Sequence, residues 1–183
     1  MVKNYSETFK ALQIAVLTVS DSRTEDTDTS GQLLVQSLTD VGHMLAEKRI
    51  VEDDLYLIRA VVASWIASTQ VQVVLITGGT GFTGRDSTPQ AVTPLFDSVI
   101  EGYGELFRQI SYTDIGSSTV QSRAVAGLSN GTAIFCMPGS TNACRTAWEG
   151  IIAEQLDASH KPCNFVAQLK AAEQDECASR DPA

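Results

Sequence analysis

Basic residues, histidine, paired cysteines and long apolar runs are all scarce in this sequence, and each scarcity narrows what the protein can be. Against 22 Asp and Glu stand only 13 Lys and Arg, for a net charge of -9. A general nucleic-acid binder carries a basic face, so nucleic acid is not expected as a partner. No apolar stretch approaches the ~20 residues of a membrane span, and the opening MVKNYSETFK lacks the apolar core of a signal peptide. A soluble, cytoplasmic protein with no membrane partner is the expectation. Cys136, Cys144, Cys163 and Cys177 form no CxxC pair, and the two histidines, His43 and His160, lie far apart. Neither a structural zinc site nor a disulfide framework is expected from that pattern; the thiols read as reduced and buried, and the histidines as surface or turn residues.

What is present is a chain of 183 residues, 43% of them hydrophobic, enough for one domain with a full core. It contains no internal repeat and no linker. The stretch Val71 to Asp86, VQVVLITGGTGFTGRD, organises it. Val71, Val73, Val74, Leu75 and Ile76 form the short, nearly continuous apolar run of a parallel strand buried on both faces. Gly78, Gly79 and Gly81 follow at once, a turn in which the backbone can adopt positive φ and bring its N–H groups close to an anion. Beyond Arg85 and Asp86, the segment Ser87-Thr88-Pro89 reads as a helix start, with Pro89 at the first helical position. A strand, a glycine turn, an acid and a helix start are the parts of a phosphate site.

The rest of the chain supplies more strand-helix units. Gln13 to Ser20 is a second buried strand, ending in the polar turn Ser20-Asp21-Ser22-Arg23. A loop from Thr24 leads to Thr29 or Ser30 as cap of a helix through Leu33, Leu34, Val35 and Leu38, stopped at Gly42. Leu45 to Val51 reads as a weaker, edge-proximal strand delivering Glu52, Asp53 and Asp54 to a turn. Leu55, Ile58, Val62, Trp65 and Ile66 recur at helical spacing, with Asp53 or Asp54 at that helix's N-terminus. A short helix spans Ala91, Val92, Leu95 and Phe96. Glu101 to Ile110 and Ser117 to Leu128 read as two more helices, separated by Gly116. Thr132 to Met137 is a further strand, ending in Pro138-Gly139-Ser140, before a long helix with Ala143, Ala147, Trp148, Ile151, Ile152 and Leu156 on one side. Trp65 and Trp148 read as core. The domain is placed at residues 1–165, with a flexible tail over 166–183.

Alternating strands and helices specify an α/β fold: a three-layer sandwich around a mainly parallel sheet. The turns at Ser20, Asp53, Gly78 and Pro138 all follow strands, so they should meet on one sheet edge, where ligands bind in such folds. Gly79 to Gly84 literally satisfies GxGxxG. That pattern follows the third strand instead of opening the first unit, and a polar loop parts it from its helix, so it is weak support for a dinucleotide site. The absence of a lysine after the glycines excludes a P-loop. A structural turn without ligand remains an alternative for the glycines, as does a helix cap or loop acid for Asp53 and Asp86. Two acids flanking a phosphate turn are also what bound Mg²⁺ requires, since carboxylate and phosphate oxygens form its shell. Ser122 and Arg123, in a stretch read as helix, would by default be a polar face.

LITGGTGFTGRDSTPQAV from Leu75, STVQSRAVAG from Ser118, MPGS from Met137 and CRTAWEGIIAEQLD from Cys144 together resemble the MoaB/Mog family of molybdenum cofactor biosynthesis proteins. The likeness runs from about Gln13 to Phe165, and the closing KPCNF with CRTAWE resembles the B-type branch. The resemblance implies an α/β protein that assembles as a homotrimer or homohexamer and binds molybdopterin, a small-molecule pterin. Related adenylyltransferases join the pterin's terminal phosphate to AMP from Mg-ATP. By position, Gly78, Gly79, Thr80 and Gly81 would hold phosphate; Asp53 and Asp86 would be catalytic and would act on Mg²⁺, directly or through water. Ser20, Ser122, Pro138, Gly139 and Ser140 would line the nucleotide or pterin pocket. Cys136 stands where adenylyltransferase relatives often place asparagine, which would remove a hydrogen-bonding group from the pocket edge. Two functions follow: an ATP-dependent molybdopterin adenylyltransferase, or a molybdopterin-binding carrier without turnover.

Overall fold

The structure, a computed structural model, describes residues 8–171. Strands β1 (Gln13–Val19), β2 (Met44–Val51), β3 (Val73–Thr77), β4 (Ser98–Val99), β5 (Val125–Ser129) and β6 (Thr132–Met137) form one sheet in the order β2-β1-β3-β6-β5-β4. The first four in that order are mutually parallel; β5 runs antiparallel to β6, and β4 antiparallel to β5. The apolar runs become strands because both faces are covered. Alternate side chains of the central strands enter two separate cores. Val16, Leu75 and Phe135 point to the side held by α1 (Thr29–Asp40), α4 (Glu101–Ile115) and α5 (Thr141–Ala147), while Leu17, Ile76 and Ile134 meet α2 (Leu55–Ala67) and α3 (Thr88–Val92). Trp148 belongs to the first core and Trp65 to the second, as expected from their spacing. β2, at the sheet edge, is partly exposed along its whole length.

Several local readings change. No helix spans Ser117 to Leu128: after a 3-10 turn at Gly116–Gln121 the chain becomes β5 and returns as β6. The hairpin turns at Asn130 and Gly131, which both take positive φ, 48 and 69. That Asn-Gly pair is the strongest short hairpin signal, and it outweighs the helical look of AVAG. The small residues of β5 have a packing cause, since a Cβ on Gly127 would fall 2.3 Å from Cγ of Phe96. Helix α1 is capped by Asp28, not Thr29 or Ser30; the Asp28 carboxylate accepts the Gly31 N–H at 2.8 Å. The helical stretch after β6 is continuous but widens to a π turn at Trp148–Ile152 before α6 (Ala153–Gln155). Pro89 is the second residue of α3.

Residues assigned to the tail are in part docked. Val166 and Leu169 pack against the first core, and Lys170 closes the base of the sheet. Its N–H donates to Gly131 O at 2.8 Å, its carbonyl accepts the Gln72 amide at 2.7 Å, and its Nζ donates to Ile66 O at 3.0 Å. The remainder of that tail, from residue 172, and Cys177 lie outside the described residues. Cys136 and Cys144 are buried free thiols, whereas Cys163 is exposed. His43 is buried against Trp148 instead of lying at the surface. Among the described residues no helix is long and apolar enough to cross a membrane.

Candidate functional site

Strand register places the site. Thr18 of β1 is level with Thr77 of β3, Thr77 with Met137 of β6, and Val19 with Val51 of β2. The strands therefore end together, and their four loops share one edge. Strand order also reverses there, because β2 lies on one side of β1 and β3 on the other, which is where open α/β sheets bind ligands. A cleft of about 750 Å³ opens at this point, lined by Ser20, Asp53, the Gly78–Gly81 turn, Asp86, Ser122, Pro138 and Gly139. Ser140 is the one anticipated residue outside it. Its hydroxyl accepts the Ala143 N–H at 3.1 Å and caps α5.

The acids divide their roles. Asp54 is the cap of α2, accepting the N–H groups of Tyr56 and Leu57 at 2.9 Å each. Asp53 is thereby free to turn inward, where its Oδ1 accepts the Ser87 N–H at 3.0 Å and the Ser87 hydroxyl at 2.6 Å. Its own N–H donates to Asp21 at 3.0 Å. Asp86 accepts the Thr83 N–H at 2.7 Å and the Thr83 hydroxyl at 2.6 Å, both on Oδ2. Burial pushes the Asp86 carboxyl up, but the hydrogen bonds from Thr83 and Gly81 and the charge of Arg123 outweigh it and leave the group below its ordinary value. It is a carboxylate at neutral pH.

Both carboxylates lie directly against the glycine turn. A Cβ on Gly79, whose φ is +64, would stand 2.7 Å from Asp53 Oδ2 and 2.3 Å from Thr88 Oγ1; one on Gly81 would stand 2.8 Å from Asp86 Oδ2. The glycines therefore serve the acids as well as any anion, because only a residue without Cβ admits two carboxylates at this distance. Gly78, at φ +104, donates its N–H to Met137 O at 3.0 Å and so fixes the turn to the end of β6. Among the described residues no group of three or more His, Cys, Asp or Glu side chains could hold a metal ion. Asp53 and Asp86 alone would give a cation two carboxylates, so any ion held there would need further oxygen ligands from elsewhere. A carboxylate has about four acceptor positions, so the bonds from Ser87 and Thr83 leave capacity for one.

Two groups that sequence reasoning passed over, Asp28 and Arg123, also shape the cleft and its loop, beside the anticipated Ser122. Asp28 is 1% exposed and lines its deep wall, held by the Thr18 hydroxyl at 2.8 Å and by Lys48 Nζ at 2.9 Å. Its signal was the cap position, an acid just before a periodic apolar run. Arg123 reaches the glycine loop, as described below. The Ser122 hydroxyl oxygen is buried and has no hydrogen-bond partner among the described residues. Cys136, in contrast, is not at the cleft edge. It is fully buried in the second core with Ile76 and Ile134, and burial raises its thiol far above the ordinary value. The asparagine-to-cysteine departure therefore removes no group from the cleft wall.

A doubly covered sheet with a glycine turn and two carboxylates at its switch point defines an α/β domain with a cleft at the edge where such folds bind ligands. The family model described as "Probable molybdopterin binding domain" matches residues 15–158. Molybdenum cofactor biosynthesis protein B of Escherichia coli (strain K12) is 58% identical over 165 residues, covering 90% of this chain and 97% of that protein. The Bacillus subtilis (strain 168) protein of the same name is 44% identical over 142 residues, covering 77% of this chain and 84% of its own. A crystal structure of a molybdenum cofactor biosynthesis protein B superposes with a TM-score of 0.79 at 44% identity, covering 82% of this chain and 94% of that one. The tungsten cofactor synthesizing protein MoaB from Pyrococcus furiosus gives 0.72 at 37%, covering 79% and 92%. The chain belongs to this molybdopterin-binding family, the MoaB/Mog proteins.

Proposed function

We propose that the protein serves molybdenum cofactor biosynthesis by binding molybdopterin in this cleft and transferring AMP from Mg-ATP to its terminal phosphate. The observation that carries the reading is the pair Asp53 and Asp86, each pressed against a glycine of one turn inside one cleft. No protein nucleophile is needed. An oxygen of the pterin phosphate attacks the α-phosphorus of ATP, the bond to the β-phosphate oxygen breaks, and pyrophosphate leaves. Backbone N–H groups of the Gly78–Gly81 turn orient the phosphates, and the preset hydrogen bonds on Asp53 and Asp86 hold both carboxylates toward them before ligand arrives. Mg²⁺, when bound, supplies charge neutralisation on the phosphate oxygens. A cytoplasmic homotrimer or homohexamer is the proposed form.

A carrier that binds molybdopterin without turnover is the second reading, favoured by the B-type ending KPCNF at Lys161 to Phe165. One assay separates them. Purified protein is incubated with Mg-ATP and molybdopterin, and adenylylated pterin is followed by chromatography beside Asp86→Ala and Asp53→Asn. The transferase predicts Mg²⁺-dependent product from the wild type and at least about a hundredfold loss in each variant, with pterin binding largely kept, as expected when electrostatic stabilisation is removed. Tight pterin binding with no AMP transfer identifies the carrier, and no pterin binding rejects both.

A further inference from the structure

Arg123 stands at the junction of β5 and the 3-10 turn, far in sequence from the glycine loop, yet it holds that loop at both ends. Its backbone N–H donates to Thr80 O at 3.2 Å, and its Nε donates to the same oxygen at 3.3 Å. Its Nη2 donates to Asp86 O at 2.8 Å. Between those two carbonyls lies the excursion Gly81 to Arg85, whose tip residue Phe82 is 69% exposed. The guanidinium carbon sits 5.0 Å from the centre of the Phe82 ring, so the loop folds back over the arginine that anchors it. Inside the excursion, the Asp86 carboxylate closes a smaller ring through Thr83.

Main-chain carbonyls carry no side-chain identity, so a guanidinium that binds two of them fixes where a loop lies, whatever its sequence. The planar fork of arginine reaches both with one rigid group; an ammonium has no such geometry. Other bonds tie the loop locally, Asp86 N–H to Thr83 O at 3.1 Å and Ser87 to Asp53, but Arg123 is the group that bridges the Thr80 and Asp86 carbonyls across the glycine-rich excursion. Loss of the clamp would loosen the Thr80 side of the loop, and with it the setting of the Asp86 carboxylate against Gly81.

We infer that Arg123 is a positioning residue of the cleft, one that sets Asp86 against the phosphates of a bound nucleotide by clamping the backbone at Thr80 and Asp86 from the antiparallel half of the sheet. This rests on the reading of the cleft as a nucleotide and pterin site. The arginine touches neither ligand in this scheme. Its effect passes through Asp86 alone, and that makes it distinguishable from an arginine that merely stabilises the fold.

A double-mutant cycle read by calorimetric binding of Mg-ATP, and separately of molybdopterin, tests it on the full chain. Arg123→Ala should weaken Mg-ATP binding about tenfold while the far-ultraviolet spectrum is retained. Combined with Asp86→Ala it should add nothing to the loss caused by Asp86→Ala alone, whereas combined with Asp53→Asn its loss should multiply. Arg123→Lys keeps the charge without the fork and should lose affinity nearly as much; it also stands in if the alanine variant fails to fold. Wild-type affinity in either Arg123 variant, or losses that multiply with Asp86→Ala, overturns the inference and leaves the functional reading intact. A wild-type protein that binds neither Mg-ATP nor molybdopterin overturns both.

Discussion

The two halves of the sheet do different work at one cleft. In the parallel half, β2, β1, β3 and β6 end level and present the glycine turn and both acids on loops that leave the strand ends. In the antiparallel half, the segment before β5 contributes Ser122 to the cleft wall and Arg123 to the glycine loop, which it binds at Thr80 O and Asp86 O. In the parallel half β1, β3 and β6 are buried on two faces and gain stability from two cores, and only the edge strand β2 is partly exposed. The antiparallel half is thinner, with Val125 and Leu128 only partly buried and β4 reduced to Ser98–Val99. The glycine turn and both acids thus stand on the half with two cores, and the lighter half holds their loop through Arg123.

Truncation of one residue in each half should expose that asymmetry. Leu75→Ala, at a fully buried position in β3, is expected to cost about 2–5 kcal/mol of unfolding free energy. Leu128→Ala in β5, half-buried, is expected to cost about 1 kcal/mol. Urea melts of both variants measure this, and equal losses would break the comparison. Within the parallel half, neighbouring acids offer a finer contrast. Asp54→Ala removes the α2 cap and should cost about 1 kcal/mol with Mg-ATP binding kept; Asp53→Asn should show the reverse in the same melts and calorimetry.

The smallest effect concerns His43, beneath the parallel half. Burial lowers its basicity, partly offset by Asp157, and its Nδ1 accepts the Leu12 N–H at 3.2 Å, so that nitrogen carries no proton. The unfolded chain, at an ordinary value of about 6.5, takes up the proton first. Stability should therefore be greatest above that pH and decline as pH falls through it toward the lowered folded value. Urea midpoints measured on either side of pH 6.5 should show a slope that His43→Gln flattens, and an unchanged slope would remove His43 as its source.

The same division explains what could be read from the letters. β1, β3 and β6 declare themselves through near-continuous apolar runs, and their common edge follows from an α/β alternation, so the pattern alone brings the turns at Ser20, Asp53, Gly78 and Pro138 together. β5 carries no such run, because Gly127 makes room for Phe96 beside a single small Ala126, and AVAG then imitates a helix. Only Asn130-Gly131 marks the hairpin. The choice between Asp53 and Asp54 could not be made locally, since either offers a capping carboxylate. Arg123 was invisible for a different reason: its partners are carbonyls 43 and 37 residues away, and a carbonyl leaves no trace in side-chain pattern.

Synthesis on the ribosome meets this architecture from one end. Lys170 and Gln72 lace the base through bonds between residues 98 to 104 apart, and the carbonyls of Ser68 and Gly131 accept from Lys170, as does Ile66 O beside its bond from Asn130. All six strands and every cleft residue precede it in the chain. A nascent protein therefore completes its cleft loops before it completes its floor. Release of the last segment is then a closing event in its own right, one that nascent-chain proteolysis would register as a late gain of protection near Ile66 to Gln72.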